Sequence, residues 1–93
     1  MAEMQLRGKS VGAVARDVAG GFFTINPSVL KKIDSEGVKA LYHQLKKLQT
    51  GVRGEEFPGH DVLAIRDRNT RLQRLHNAIV VLEHTAKERK IAL

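Results

Sequence analysis

The sequence contains no cysteine and no tryptophan, and its aromatic side chains are one tyrosine and three phenylalanines. Without cysteine the chain forms no disulfide, has no thiolate nucleophile and offers no thiolate ligand to zinc. The few large side chains predict a thin hydrophobic core, and a chain of 93 residues buries only a modest share of its surface. Self-association is a common way for such a small domain to bury more.

Long apolar runs are also scarce. The longest is Ala78–Leu82, which is far shorter than the about 20 residues that a membrane-spanning helix needs. The first residues of the chain include no apolar segment of signal-peptide length. We therefore expect a cytoplasmic protein that does not enter a membrane.

Two stretches repeat apolar residues at steps of three and four, the spacing that places side chains on one face of an α-helix. The first stripe consists of Leu30, Ile33, Leu41, Leu45 and Leu48, and the second of Ile65, Leu72, Leu75, Ile79, Leu82 and Ala86. The break between them, residues 51–59, contains three glycines and a proline. Two helices that fold back on each other across this break bury both stripes, which predicts an all-α protein with an antiparallel helical hairpin over residues 26–93.

The start of the first long helix has two interpretations. Asn26 and Pro27 suit the cap and first turn of a helix, but Gly37 interrupts the pattern and Asp34 offers a second cap. The sequence therefore allows one helix as far as Gln49, or a short turn followed by a helix that begins after Asp34. The second long helix is predicted from about residue 61, an aspartate that suits an N-cap, to about residue 90.

Residues 1–25 form an N-terminal arm, for which the sequence allows two structural interpretations. Apolar residues recur in it at helical spacing, at Val11, Val14, Ala15 and Val18. The Gly20–Gly21 pair suits the end of such a helix, but it equally suits the turn of a β-hairpin. Glycines at positions 8 and 12 weaken both structures, so we expect an irregular, partly ordered arm.

The second helix carries more apolar surface than a hairpin covers. Residues Ala78–Leu82 are apolar on every side of the helix, whereas a facing helix shields only the side with Ile79 and Leu82. The glycine-rich arm is a poor packing partner, so a second copy of the chain is the better candidate for the remaining cover. The predicted partner-binding surface consists of Val80, Val81, Ile79 and Leu82.

A net charge of +6 permits an acidic protein or a nucleic acid as partner. On one continuous helix, Lys32, Lys39 and Lys46 would align at seven-residue steps, opposite Leu41. Such a row of ammonium groups suits phosphates, but it also suits an ordinary solvated face. The lysine row is therefore the first candidate contact to nucleic acid, and the solvated face is the favoured interpretation.

A dense arginine cluster is the second candidate contact to nucleic acid. Its members Arg66, Arg71 and Arg74 are candidate phosphate ligands, together with Arg68. Arg68 and Arg71 lie on or beside the apolar stripe, where pairing with Asp34, Glu55 or Glu56 is an equally good interpretation. Tyr42 is the only aromatic residue within either helical run, which disfavours base stacking on a single strand.

Residues for catalysis or metal binding lack the spacing that such sites require. The four histidines, at positions 43, 60, 76 and 84, include no pair four residues apart and no HExxH motif. Glu55–Glu56 is the only adjacent carboxylate pair, and its glycine-rich loop cannot hold it precisely. We therefore expect no enzyme activity, no metal and no cofactor.

These patterns favour a small helical protein–protein interaction module, such as an adaptor, a co-chaperone or an assembly subunit. Its long helices would associate by coiled-coil-like packing, and we expect a homo-oligomer. The alternative is an accessory nucleic-acid-binding protein that uses a basic helix face.

Overall fold

The structure of the chain, a computed structural model, describes residues 5–6, 9–55, 59 and 61–93. The four helices are α1 (Val11–Gly20), α2 (Pro27–Leu30), α3 (Ser35–Arg53) and α4 (Val62–Glu88). Two short antiparallel strands, β1 (Gln5–Leu6) and β2 (Lys9–Ser10), precede them, with Gln5 opposite Ser10. Every described element longer than two residues is a helix, so the predicted all-α class is confirmed.

Each helix begins at a short polar side chain that accepts a hydrogen bond from the backbone three residues further on. The four caps are Ser10, Asn26, Asp34 and Asp61, and their distances to the amide nitrogens run from 2.8 to 3.2 Å. Such a cap satisfies an N–H that has no partner within its helix, and its removal costs about 0.5–2 kcal/mol. Local sequence therefore determines where each helix starts.

The first long stripe is divided between two helices. Helix α2 ends at Leu30, and α3 begins after Asp34, whose carboxylate accepts from the buried Gly37 at 2.8 Å. Of the two interpretations that the sequence allowed, the short turn and second start is the observed one. Lys32 consequently lies in the turn between the helices, so it does not align with Lys39 and Lys46 on one helix, and the predicted lysine row is wrong.

The N-terminal segment contains a packed helix where an irregular arm was expected. Helix α1 buries five side chains, Val11, Val14, Ala15, Val18 and Ala19. Its end is fixed by Gly21 in the left-handed conformation (φ 84°), with the amide of Phe22 donating to the Asp17 carbonyl at 2.8 Å. The N-cap at Ser10 and the C-terminal Gly21 outweigh the cost of Gly12 inside the helix. Helix α1 contacts both α3 and α4.

One hydrophobic core joins the four helices. Its largest fully buried side chains are Leu30, Leu41, Leu45, Leu75, Leu82 and Val38. The two predicted stripes supply five of these six side chains, and their half-buried members are Leu48, Ile65 and Leu72. Helix α4 contacts each of the other three helices, which makes it the central element of the fold.

Replacing Gly21 with alanine is expected to lower the free energy of unfolding by about 1–2 kcal/mol. A left-handed backbone at a residue with a Cβ costs about this amount. The new Cβ would also lie only 2.8 Å from Cζ of Arg74, which must then shift. Chemical denaturation followed by circular dichroism measures the loss.

Gly51→Ala is the matched control, because Gly51 lies inside α3 with nothing within 4 Å of the added Cβ. Alanine is the better helix former there, and we expect a gain of about 0.5–1 kcal/mol. Equal effects of the two substitutions would show that the conformation of Gly21 does not matter.

Candidate interaction surface

Arginine side chains of α4 donate hydrogen bonds to the C-terminal ends of neighbouring helices. Arg68 donates from Nε to the carbonyl of Val52 at 3.2 Å and from Nη2 to the carbonyl of Arg53 at 3.0 Å, at the end of α3. Arg74 donates from Nη1 to the carbonyl of Ala19 at 3.1 Å, near the end of α1. These carbonyls belong to the last turns of their helices, where acceptors lack a partner within the helix.

A third arginine repeats the arrangement at the other end of the molecule. Arg89, which directly follows α4, donates from Nη1 to the carbonyl of Leu30 at 3.2 Å, at the end of α2. Positive charge at a helix C-terminus also complements the helix dipole. The ends of α1, α2 and α3 are thus each joined to α4 by an arginine.

Arg71 belongs to a cluster of charges at the surface. It donates from both terminal nitrogens to the carboxylate of Glu55, at 2.9 and 3.1 Å, and from Nε to Asp67 at 3.1 Å. The hydrogen bonds from Arg71 lower the pKa of the Glu55 carboxyl and raise the pKa of Arg71 itself. Because the pKa of Glu55 is lowered, this pair is intact at neutral pH and is lost as acid protonates the carboxyl.

Four of the candidate phosphate ligands have partners within the chain. Arg71 and Arg74 are engaged within the chain, while Lys39 lies 4.0 Å from the carboxylate of Glu36. Lys46 lies over the ring of Tyr42, with Nζ 5.7 Å from the ring centroid. Two other candidates, Lys32 and Arg66, are exposed on different elements.

The predicted partner-binding surface is largely part of the core. Ile79 and Leu82 are buried, and Val81 is half-buried and packs against the core cluster. Val80 alone of the four remains exposed, at 47%. Of the two valines that were expected to need a second copy, Val81 is therefore covered within the chain and Val80 is not.

The exposed apolar residues of α4 lie mainly in its first half. Buried residues of this helix begin at Leu75, whereas Val62 and Leu63 are 63% and 74% exposed. With 27 residues, α4 is about 40 Å long, close to the 44 Å length of the molecule. Its first half therefore extends past the part of the helix that the core covers.

An open cleft of about 490 Å³ runs along this half of α4. Its lining residues follow one another at alternating steps of three and one and are Val62, Ile65, Arg66, Asn69, Thr70, Gln73 and Arg74. Such spacing places them on neighbouring parts of one helix face. We define the outer face of α4 as Val62, Asn69, Gln73 and Val80, which lie about 120–160° around the helix from Leu75.

Sequence reasoning missed this face because it looked for continuous apolar stripes. The outer face has valines only at its two ends and amide side chains between them. The available signal was a seven-residue step, from Val62 to Asn69 and again from Gln73 to Val80. A seven-residue step returns a side chain to nearly the same face of a helix.

Among the residues that the structure describes, no helix is long and apolar enough to cross a membrane. The same residues contain no group of three histidine, aspartate or glutamate side chains that could hold a metal ion. His60 and Glu56, which were considered in the sequence, lie outside the described residues. Comparisons of the chain with family models, with curated proteins and with solved structures find no match.

Proposed function

We propose that this chain is a non-enzymatic helical protein–protein interaction module of the cytoplasm, in the class of adaptors, co-chaperones and assembly subunits. The observation that carries the proposal is the exposed outer face of α4, with Val62 at one end and Val80 at the other. Contiguous exposed apolar side chains are typical of surfaces that bind proteins, and Val62 lies beside the exposed Leu63. The absence of cysteine fits a reducing compartment.

The working unit in this proposal is an antiparallel hairpin of α3 and α4, braced by α1. Arg68, near the start of α4, bonds to the end of α3. Arg89, just after the end of α4, bonds to Leu30, shortly before α3 begins. In this proposal the two helices run in opposite directions, and the outer face of α4, about 120–160° around the helix from the buried Leu75, is turned away from the core.

We further propose that the module associates with copies of itself. Val62 and Val80 are 63% and 47% exposed, so each forgoes part of the about 1.5–3 kcal/mol that full burial gives relative to full exposure. That amount is large beside the total stability of a small domain. A second copy that covers this face recovers part of this free energy and does not need charged residues opposite it.

Nucleic-acid binding is the weaker alternative because the arginine cluster is engaged elsewhere. Arg71 is paired with two carboxylates, and Arg68 and Arg74 bond to backbone carbonyls. Binding to a phosphate backbone requires several cations that approach it together. Lys32 lies in the turn before α3, so it does not extend a row with Lys39 and Lys46 on that helix.

We expect no sub-micromolar binding of the chain to labelled duplex DNA or RNA at physiological salt. Fluorescence anisotropy measures this directly for the wild type and for a variant with Lys32→Glu, Lys39→Glu and Lys46→Glu. The variant should bind no differently from the wild type, and its circular dichroism spectrum should be unchanged. Sub-micromolar binding that weakens with salt and is lost in the variant would overturn the proposal in favour of the alternative.

A further inference from the structure

We propose that two copies of the chain pair through the outer faces of their α4 helices, antiparallel, about a two-fold axis beside position 71. In this arrangement Val62 packs against the partner's Val80, and Asn69 faces the partner's Gln73. The inference rests on the proposed self-association, and it names the surface and the register.

The spacing of the outer face is self-complementary. Val62 and Val80 are 18 residues apart, which is five helical turns, so they point in the same direction about 27 Å apart. Asn69 and Gln73 lie between them and share the same midpoint, position 71. When a second copy is rotated by 180° about that midpoint, Val62 faces the partner's Val80 and Asn69 faces the partner's Gln73. A two-fold interface requires this reciprocity between residues.

The polar centre of this face favours one register. Gln73 donates from Nε2 to Oδ1 of Asn77 at 3.1 Å, and its amide keeps a second N–H and its acceptor oxygen, so it can still bond reciprocally with the partner's Asn69. A shift of one heptad would place Val62 opposite the partner's Gln73, which loses both contacts between valines and leaves amide groups against apolar surface. Polar residues inside a helix pair specify register in this way, at some cost in stability.

The neutrality of the outer face, and not the net charge of the chain, favours a second copy over an acidic partner. The four outer-face residues carry no charge. Arg74, at the edge of the cleft, is engaged by the Ala19 carbonyl, which leaves Arg66 as the exposed cation of the cleft lining. An acidic peptide would therefore meet few cations on this face, whereas Val62 and Val80 can pack against the same two valines of another copy.

Site-directed cross-linking tests the register cleanly, because the chain has no native cysteine. Val62→Cys and Val80→Cys are made as separate chains, and both positions are exposed, so both variants should keep the helical circular dichroism spectrum of the wild type. A short cysteine-specific cross-linker is then added to each chain alone and to an equal mixture. We expect the covalent dimer in the mixture and little in either chain alone, since the antiparallel register separates identical positions.

Lys47→Cys, on the exposed side of α3, is the control partner for Val80→Cys and should give no covalent dimer above background. Dimers formed by each chain alone, or a mixture no better than the Lys47→Cys control, would overturn the proposed register. If sedimentation still shows a dimer in that case, self-association stands and only the surface is wrong. A monomer in sedimentation would overturn the self-association as well.

Discussion

Replacement of Arg68 with methionine is expected to lower the free energy of unfolding by about 1.5–3 kcal/mol, the range for hydrogen bonds that involve a charged group. Methionine keeps much of the aliphatic packing but removes the donors to the carbonyls of Val52 and Arg53. Because the bond to Arg53 is exposed, water replaces part of what is lost, and the lower end of the range is the better expectation. Urea denaturation followed by circular dichroism measures the change.

Arg66→Met is the matched control, since Arg66 lies on the same helix and its side chain has no polar partner among the described residues. Its substitution should change stability by no more than about 0.5 kcal/mol. Arg68→Lys should fall between the two, because it keeps the charge but loses the forked geometry. Equal effects at positions 66 and 68 would show that the bonds to the end of α3 contribute nothing.

The local features of the fold were predictable from the sequence. Steps of three and four residues identified the side chains that form the core, such as Leu41 and Leu82. The caps at Asn26, Asp34 and Asp61 are recognisable because each precedes a helical pattern and each has a short side chain that can accept from the backbone. These signals involve residues only a few positions apart, so they can be recognised in the sequence alone.

The roles of the arginines were not predictable in the same way. Arg74 and the carbonyl of Ala19 are 55 residues apart in the chain, and Arg89 and the carbonyl of Leu30 are 59 apart. Backbone carbonyls carry no residue-specific signal, so only the folded arrangement shows which helix end an arginine reaches. The pairing of Arg71 with Glu55 was among the predicted alternatives, because side-chain charges can be read from sequence.

The packing around Ala78–Leu82 is a second feature that could not be fully predicted from the sequence. The sequence correctly indicated that one facing helix leaves part of this stretch exposed. It did not show that α1 would pack as a helix, because the glycines of the first 25 residues weighed against one. Within this stretch Val81 packs against the core of the same chain, whereas Val80 stays exposed, as does Val62 at the start of α4.

Val80→Glu is expected to weaken self-association at least about hundredfold, since each dimer loses two contacts between Val80 and the partner's Val62 and each buried valine contributes about 1.5 kcal/mol or more. Val80 is exposed in the single chain, so the variant should fold as well as the wild type. Val81→Glu is a poorer test, because Val81 packs against the core and its substitution damages the fold. Thr50→Glu, on the exposed side of α3, adds the same charge elsewhere and should leave association unchanged.

Sedimentation velocity over a range of micromolar concentrations, at low and at high salt, tests self-association through α4 most directly. Each copy carries a charge of +6 and the four outer-face residues contribute no ion pairs, so salt should screen the repulsion and strengthen the dimer. We predict a wild-type and Thr50→Glu dimer whose fraction rises with concentration and with salt, and a Val80→Glu monomer. A wild-type monomer at every concentration and salt, or a dimer that Val80→Glu leaves intact, would contradict pairing through this face.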